Sequence, residues 1–192
     1  GDTLAGVSVT DFEAQLQERG ALLRGHFQLA SGRHADTYIE KFKILQWPDL
    51  TDSLCADIAA RFRGETNLVA GPTTGGVILS YATARELGLR GIFAERNADE
   101  TGREFKRGFE VGAGDRVLVV DDILTTGGSI RDVVDAVRAR GAEVVGVAVM
   151  VDRSGGTTDF GVPFHACLTL SIASWTPEEC PKCVEGAPLT IT

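Results

Sequence analysis

The sequence predicts an α/β fold: a mostly parallel central sheet flanked by helices, with a small additional lobe. Apolar runs at residues 117–120, 144–151 and 166–170 suit strands that are buried on both faces. They alternate with segments of helical periodicity, as the crossover connections of a parallel sheet require. Residues near both termini fall outside this alternation, so we expect them to form the lobe.

The N-terminal part predicts two helices separated by a polar stretch. The first is expected over residues 12–23, where Thr10-Asp11 can cap it. Residues 25–43 are polar, with extended character near residues 37–42. Pro48 can open the second helix, in which apolar residues recur at every fourth position: Leu50, Leu54, Ile58 and Phe62.

The central part predicts five strands and two helices in alternation. Strands are expected at residues 68–70, 91–94, 117–120, 144–151 and 166–170, and helices at residues 74–87 and 129–140. A chain of 192 residues suits one hydrophobic core. We therefore expect a single domain over residues 1–192, with its core at about 65–172 and a flanking hood from about 1–45 and 173–192.

The overall charge excludes some classes of partner. The formal net charge is −8, which argues against nucleic acid, because phosphate backbones are bound through clustered Lys and Arg. No apolar run approaches the roughly 20 residues that span a bilayer, so no membrane contact is expected. The first residues carry no basic leader or apolar stretch of the signal-peptide type. A cytoplasmic location is expected.

Four cysteines are present, and only Cys180 and Cys183 have the CxxC spacing of metal or redox sites. Zinc would need about two more ligands, and the sequence has no second CxxC pair to supply them. We therefore expect Cys55, Cys167, Cys180 and Cys183 to be free thiols in a reducing compartment. Whether Cys180 and Cys183 have a role stays open.

Residues 117–129 combine a buried strand, two adjacent carboxylates, a hydroxyl- and glycine-rich turn and a helix start. Ligands of open α/β sheets bind beyond the carboxyl ends of the strands, where we expect Asp121 and Asp122. Ionised carboxylates can accept hydrogen bonds from vicinal ribose hydroxyls. The turn suits a terminal phosphate, because glycines allow close backbone approach and the helix start offers unsatisfied N–H groups. An acidic strand end before an N-capped helix would explain any one of these features alone. It would not explain why the strand, the carboxylates, the turn and the helix start follow one another in this order.

A second turn of small residues lies at residues 71–76, between a short predicted strand and a helix. Its sequence is Gly-Pro-Thr-Thr-Gly-Gly, and it again falls at the ligand-binding end of a parallel strand. An ordinary strand-to-helix turn would explain this loop equally well if it stood alone.

These two turns resemble elements of the type I phosphoribosyltransferases. Residues 117–129 closely resemble the family's signature for phosphoribosyl pyrophosphate, and residues 71–76 look like its pyrophosphate loop. The resemblance implies a site for phosphoribosyl pyrophosphate formed by Arg96, Asp121, Asp122, Ile123, Leu124, Thr125, Thr126, Gly127, Gly128, Ser129, Thr73, Thr74 and Gly75.

Within that family the chain resembles the orotate phosphoribosyltransferases. Residues 27–32 look like their F-x-L-x-S-G element, the Asp152-Arg153 pair matches theirs, and the tail at 177–183 resembles some of their tails. Tyr38 and Ile39 fall where the family packs side chains over the pyrimidine ring. The resemblance implies that orotate contacts Thr125, Arg153, Tyr38 and Ile39.

The segment 95–109 corresponds to the family's mobile catalytic loop, although its spacing differs. Arg96 matches the first loop Arg, while Arg103, Lys106 and Arg107 are candidate catalytic cations beside Asp121 and Asp122; Lys106 is the first choice. A solvated charged loop is the alternative. Ala30 and Gly75 stand where many relatives carry Lys. Because the family's loop enters the neighbouring subunit's site, the resemblance also implies a homodimer.

The implied reaction transfers phosphoribosyl from phosphoribosyl pyrophosphate to orotate, giving orotidine 5′-monophosphate and pyrophosphate in pyrimidine biosynthesis. Mg²⁺ would be held by the substrate's pyrophosphate and ribose hydroxyls, with no secure direct protein ligand. Three alternatives stay open: a purine phosphoribosyltransferase, a regulatory sensor of phosphoribosyl pyrophosphate, and a homologue that has lost activity. The sensor is disfavoured by the net charge of −8, and inactivity would follow from the absent Lys positions.

Overall fold

The structure is a computed structural model that describes residues 9–192 and, for residues 9 and 10, the backbone alone. In chain order its elements are α1 (Val9–Glu18), β1 (Leu22–Gln28), β2 (His34–Ile39), α2 (Lys41–Leu45), α3 (Pro48–Phe62), β3 (Leu68–Pro72), α4 (Gly75–Leu87), β4 (Arg90–Arg96), β5 (Arg103–Glu104), β6 (Arg116–Leu124), α5 (Gly128–Ala139), β7 (Glu143–Asp152), β8 (Phe164–Thr169), β9 (Ser174–Trp175), α6 (Pro181–Val184) and β10 (Thr190–Ile191).

A six-stranded sheet with the order β5-β4-β3-β6-β7-β8 forms the centre of the fold. All neighbouring strands are parallel except β4 and β5, which form an antiparallel hairpin. Residues 117–120 and 147–151 of β6 and β7 are fully buried, because helices cover both faces of the sheet. The predicted α/β class and its parallel central sheet are confirmed.

The chain leaves the middle of this sheet in two directions. From β3 it passes through α4 to β4 on one side, and from β6 through α5 to β7 on the other. β3 and β6 pair only from Leu68↔Val117 to Ala70↔Val119, whereas β6 continues beside β7 as far as Leu124↔Asp152. The sheet therefore opens between β3 and β6, at the kind of switch point where open α/β sheets bind ligands. We call this opening the strand cleft.

A second sheet with the order β10-β1-β2-β9 combines strands from both ends of the described chain. β1 and β2 are antiparallel, and β10 adds in parallel to β1 through the register Phe27↔Thr190. We call it the hood sheet. It confirms the expected additional lobe.

The structure differs most from the prediction near the N-terminus. The first helix ends at Glu18 rather than at residue 23, because Gly20 turns the chain with a φ of +65° and β1 begins at Leu22. Part of the expected capping by Thr10 and Asp11 lies outside the described side chains. The extended segment expected near residues 37–42 is β2, at residues 34–39.

The longer periodic segments agree with the structure. α3 begins at Pro48, and the four apolar residues that predict it are all buried: Leu50, Leu54, Ile58 and Phe62. The short elements β5, β9, β10, α2 and α6 were not predicted, because two to five residues are too few to show a period. In the part of the chain that the structure describes, no helix has the length and apolar character needed to cross a membrane.

Candidate active site

The two adjacent carboxylates lie at the edge of the strand cleft. β6 extends through them to Leu124, so Asp121 and Asp122 belong to the strand, whereas the sequence placed them just beyond its end. Their side chains are almost completely buried. The Asp122 N–H donates to Asp121 Oδ1 at 2.8 Å. The strand therefore continues past its last contact with β3 and carries both carboxylates into the cleft.

Burial is the main influence on the first carboxylate. Together with the neighbouring Asp122 charge, burial raises the pKa of Asp121 to about 7, while the Asp122 N–H, Lys41 and Arg103 act to lower it. A hydroxyl donor or a cation brought to Asp121 would favour its ionised form. The site is therefore arranged to accept hydrogen bonds from a ligand with hydroxyl groups.

Lys41 is a site residue that the sequence reasoning missed. Its Nζ lies 3.1 Å from Asp122 Oδ2, but without hydrogen-bond geometry, so Oδ2 has no hydrogen-bond partner among residues 9–192. Lys41 begins α2, directly after Tyr38-Ile39-Glu40. Its only sequence signal is this position behind the segment assigned to the pyrimidine, and no motif includes it.

The glycine loop at residues 71–76 packs closely against Asp122. A Cβ on Gly75 would collide with Asp122 Oδ2, and a Cβ on Gly71 would collide with the Gly76 carbonyl. Any side chain at position 75 would therefore displace the carboxylate. With Gly75 leaving room for the carboxylate, the Lys41 ammonium is the cation that approaches Asp122.

Arg103 joins the β4–β5 hairpin to this loop. Its Nη1 donates to Thr73 Oγ1 at 3.0 Å and to the Ala94 carbonyl at 3.1 Å. Burial lowers the pKa of Arg103, and Arg96 lowers it further, whereas Asp121 acts in the opposite direction. Arg103 Nε is buried without a hydrogen-bond partner in the described chain. A guanidinium with an unused donor thus borders the glycine loop.

The other three loop cations have partners on the hairpin itself. Arg96 donates to the Glu100 carbonyl at 3.4 Å. Lys106 Nζ lies 2.9 Å from the Arg96 carbonyl and 3.3 Å from Glu104 Oε1. Arg107 forms a bidentate pair with Glu95, with both contacts at 2.8 Å. The structure therefore brings Arg103 to the glycine loop, while Arg96, Lys106 and Arg107 are engaged elsewhere.

The turn at residues 125–129 leads from β6 into α5. Gly127 has a φ of +82° and precedes the helix, and Thr125, Thr126 and Gly128 are exposed while Ser129 is half-buried. The four N–H groups that begin a helix have no partners inside it, so this turn can bind an anion. Leu124 is 1% exposed and its side chain lies in the core; Ile123 packs against the core as well. These two can reach a ligand mainly through their backbones.

Arg153 follows β7, on the side of β6 that lies opposite the glycine loop. Its N–H donates to the Leu124 carbonyl at 2.8 Å. The buried Asp152 holds the loop in place by accepting from the N–H groups of Ser154 at 2.7 Å and Gly156 at 3.0 Å. Burial lowers the pKa of Arg153, and its buried Nε has no hydrogen-bond partner within residues 9–192. Arg153 is therefore a partly buried guanidinium with an unused donor, carried on an anchored backbone.

Of the two residues expected over a pyrimidine, Tyr38 alone has an available side chain. Tyr38 is half-buried and lies within electrostatic range of Arg153, whereas burial and Glu40 raise its own pKa. Ile39 points to the opposite face of β2 and is buried in the core.

Residues 43–175 match the family described as phosphoribosyl transferase domain. The chain is 50% identical over 177 residues to the orotate phosphoribosyltransferase of Pelotomaculum thermopropionicum, covering 91% of this chain and 92% of that one. It is 47% identical over 167 residues to the same enzyme of Caldanaerobacter subterraneus subsp. tengcongensis, covering 86% and 87%.

Two solved structures illustrate the structural similarity. Orotate phosphoribosyltransferase from Aeropyrum pernix superposes with a TM-score of 0.69 and 30% identity, over 82% of this chain and 92% of that one. Adenine phosphoribosyltransferase from Thermoanaerobacter pseudethanolicus gives a TM-score of 0.58 at 18% identity, over 70% and 88%. The second similarity extends to the fold alone.

Proposed function

The chain belongs to the phosphoribosyl transferase family, among the orotate phosphoribosyltransferases, and we propose that the strand cleft binds both of its substrates. Orotate attacks C1 of the ribose while the bond from C1 to pyrophosphate breaks, so orotidine 5′-monophosphate and pyrophosphate are the products. The observation that carries this proposal is the cleft itself, in which Asp121 and Asp122 lie between the glycine loop and Arg153. We place the enzyme in the cytoplasm, in pyrimidine biosynthesis.

We assign the three parts of phosphoribosyl pyrophosphate to three elements of the cleft. Asp121 and Asp122 accept hydrogen bonds from the ribose hydroxyls, and the turn at residues 125–129 binds the 5′-phosphate through N–H and hydroxyl donors. The glycine loop, with Thr73, Thr74 and Gly75, offers its backbone to the pyrophosphate, and Arg103 adds a cation beside it. Each group of the donor thus meets a part of the cleft with matching chemistry.

Mg²⁺ fits this donor set. The buried carboxylates are hard oxygen groups, and Asp122 Oδ2 has no hydrogen-bond partner in the described chain. Bound together with the phosphoribosyl pyrophosphate, the ion would supply positive charge near the leaving group. Asp121 and Asp122 would hold the hydroxyls that carry it.

Arg153 is proposed to read the base. A guanidinium fork suits the oxygen acceptors of orotate, and Asp152 holds the Arg153 loop in one position. Tyr38 would pack over the ring, and Thr125 would help to orient it. Arg153 favours orotate over a purine, because the cation matches the negative charge of the orotate carboxylate.

Replacing Arg153 with Gln is expected to raise KM for orotate by about 10- to 100-fold, because a charge-assisted contact of roughly 1.5–3 kcal/mol is lost. KM for phosphoribosyl pyrophosphate should change less than about 3-fold, since Arg153 lies away from the glycine loop. Steady-state kinetics with each substrate varied in turn measures both values. Equal increases in the two constants would contradict the role of Arg153 as base reader.

We further propose a homodimer formed through α4. Ile78 and Tyr81 lie three residues apart on this helix, and they are 39% and 68% exposed, respectively. α4 starts at Gly75 in the glycine loop, so a partner docked on the helix would lie close to the site. That position is consistent with a loop shared between subunits.

The Tyr81→Glu variant is expected to be monomeric at concentrations where the parent is a dimer, because a charge would be buried at the interface. Analytical ultracentrifugation measures the change, and Tyr81→Phe serves as the matched control that keeps the aromatic ring. A Tyr81→Glu variant that remains fully dimeric would exclude this face of α4 as the interface.

The proposed activity is tested by incubating the protein with Mg²⁺, phosphoribosyl pyrophosphate and each of orotate, uracil, adenine, hypoxanthine and guanine. Ultraviolet absorbance follows the loss of each base. Consumption of orotate alone supports the assignment. Consumption of a purine would show that the assigned base is wrong, but it would leave the proposed site for phosphoribosyl pyrophosphate unchanged. Binding of phosphoribosyl pyrophosphate without turnover would favour a sensor or an inactive homologue.

A further inference from the structure

Two histidines and two cysteines from distant parts of the chain meet at the end of the hood sheet. His26 on β1 and His34 on β2 face the same side of the sheet, while Cys180 precedes α6 and Cys183 lies within it. His26, His34 and Cys180 are buried, and Cys183 covers them from outside. The sequence predicted four free thiols and contains no second CxxC pair to supply the two further ligands that zinc needs. The structure supplies those two ligands as histidines.

We propose that this cluster is a structural zinc site with two histidine and two cysteine ligands. All four ligand atoms lie within 4.8 Å of one another. His26 Nε2 is 3.0 Å from His34 Nδ1 and 3.4 Å from Cys180 Sγ, while Cys183 Sγ is 3.2 Å from His34 Nδ1. A tetrahedron with Zn–N and Zn–S bonds of about 2.0–2.3 Å has edges of roughly 3.3–3.8 Å. The four atoms already have nearly this spacing.

Hydrogen bonding alone accounts poorly for the arrangement. His26 Nδ1 lies 2.9 Å from the Ala187 carbonyl, which can only accept, so Nδ1 carries the proton. In the neutral ring Nε2 is then a single lone pair, yet it faces His34 Nδ1, Cys180 Sγ and Cys183 Sγ together, the last at 3.6 Å. One lone pair cannot serve three neighbours, whereas a cation between the four atoms uses every one of them. The Ala187 contact is also the outer hydrogen bond that metal-bound histidines make.

The local backbone suits the same conclusion. The Cys183 N–H donates to the Cys180 carbonyl at 3.1 Å, so the two thiols lie on one tight turn. Binding Zn²⁺ releases one proton from each thiol to solvent, and the resulting site of two thiolates and two neutral imidazoles has no net charge. Such a site can be buried without a counter-ion.

The proposed zinc would tie the C-terminal segment to the hood sheet. Beyond the cluster, β10 pairs with β1 over two residues only, and the exposed Val184 and Ile191 add little packing. A metal joining residue 26 to residue 183 would close a loop of most of the chain and so reduce the freedom of the unfolded state. This role is independent of the reaction in the strand cleft.

The test uses untagged protein that is reduced, incubated with Zn²⁺, freed of unbound metal and analysed by mass spectrometry of the metal. We expect about one zinc per chain, a loss of at least about 90% in the Cys180→Ser/Cys183→Ser double variant and a similar loss in His34→Gln. Co²⁺ in place of zinc should give the absorption bands of tetrahedral coordination with thiolate charge transfer. Chelation should lower the Tm of the parent by more than about 5 °C and leave that of the double variant unchanged.

His165→Gln is the matched control, because His165 belongs to the other potential metal cluster, with Asp57 and Cys167. It should keep about one zinc per chain. Circular dichroism confirms that each variant folds. The proposal is overturned if the reduced parent takes up less than about 0.1 zinc per chain, if the double variant keeps its metal, or if Cys180 and Cys183 form a disulfide and show no uptake after reduction.

Discussion

Replacing Asp121 with Asn is expected to lower kcat/KM by at least about 100-fold and, at the same time, to raise the thermal stability above pH 7. Activity falls because the amide offers a donor where the ribose hydroxyls need an acceptor, which misplaces the reacting carbon. Stability rises because burial and the Asp122 charge, which raise the pKa of Asp121 to about 7, penalise its ionised form. A catalytic carboxylate that costs stability is a general feature of active sites.

The size of the stability effect depends on pH. The folded pKa of about 7 lies above the ordinary value of 3.8, so the native state binds the proton more tightly than the unfolded chain does. Below about pH 4 both states are protonated, and the substitution gains nothing from this effect. The penalty grows as pH rises towards 7 and is complete above it. The gain on substitution should therefore be largest at pH 8, at up to about 4 kcal/mol or roughly 8–16 °C in Tm.

Thermal unfolding at pH 4 and pH 8, together with steady-state kinetics, measures both effects. Asp135→Asn is the matched control, because Asp135 is exposed on α5 away from the cleft. The control should change neither the Tm nor the activity by a measurable amount. An Asp121→Asn variant that is active, or that is less stable at pH 8 than the parent, would contradict this account of the pair.

The central sheet could be predicted because its strands are continuous apolar runs. Residues 117–120 and 147–151 are buried on both faces, so local composition reports their environment directly. The hood sheet could not be predicted in the same way, because β1 mixes buried and exposed residues across a bulge between Arg24 and Phe27. An irregular strand shows no period of two.

The proposed site for phosphoribosyl pyrophosphate could likewise be predicted only in part. The residue types of the 117–129 block carry their chemistry locally, so the sequence could indicate it. The ion pair between Lys41 and Asp122 joins residues 81 positions apart, and the cluster of His26 with Cys183 joins residues 157 apart. Such partners are set by the packing of distant elements. In the sequence, Gly75 stands out only because it occupies a position where the resemblance leads one to expect Lys. The structure explains the glycine, because a Cβ at this position would collide with Asp122.

The second large effect is expected on kcat, when a cation of the segment 95–109 is removed. Arg103→Ala is expected to lower kcat by about 100- to 1000-fold, because a preorganised cation beside the leaving pyrophosphate is lost. Its Nη1 already contacts Thr73 in the glycine loop, and its buried Nε has no hydrogen-bond partner in the described part of the chain. KM for orotate should change by less than about 3-fold, since we propose that the base binds at Arg153.

Lys106→Ala should also lower kcat far more than it weakens orotate binding, but through loop closure. In the present conformation Lys106 contacts the Arg96 carbonyl and Glu104, so it can reach the leaving group only if the hairpin moves. Pre-steady-state kinetics separates the two variants: Arg103→Ala should slow the chemical step, and Lys106→Ala the closure that precedes it. Arg138→Ala, an exposed cation in the last turn of α5, is the control. An unchanged kcat in either variant would remove that cation from the catalytic loop, and an unchanged kcat in both would favour the alternative of a solvated charged loop.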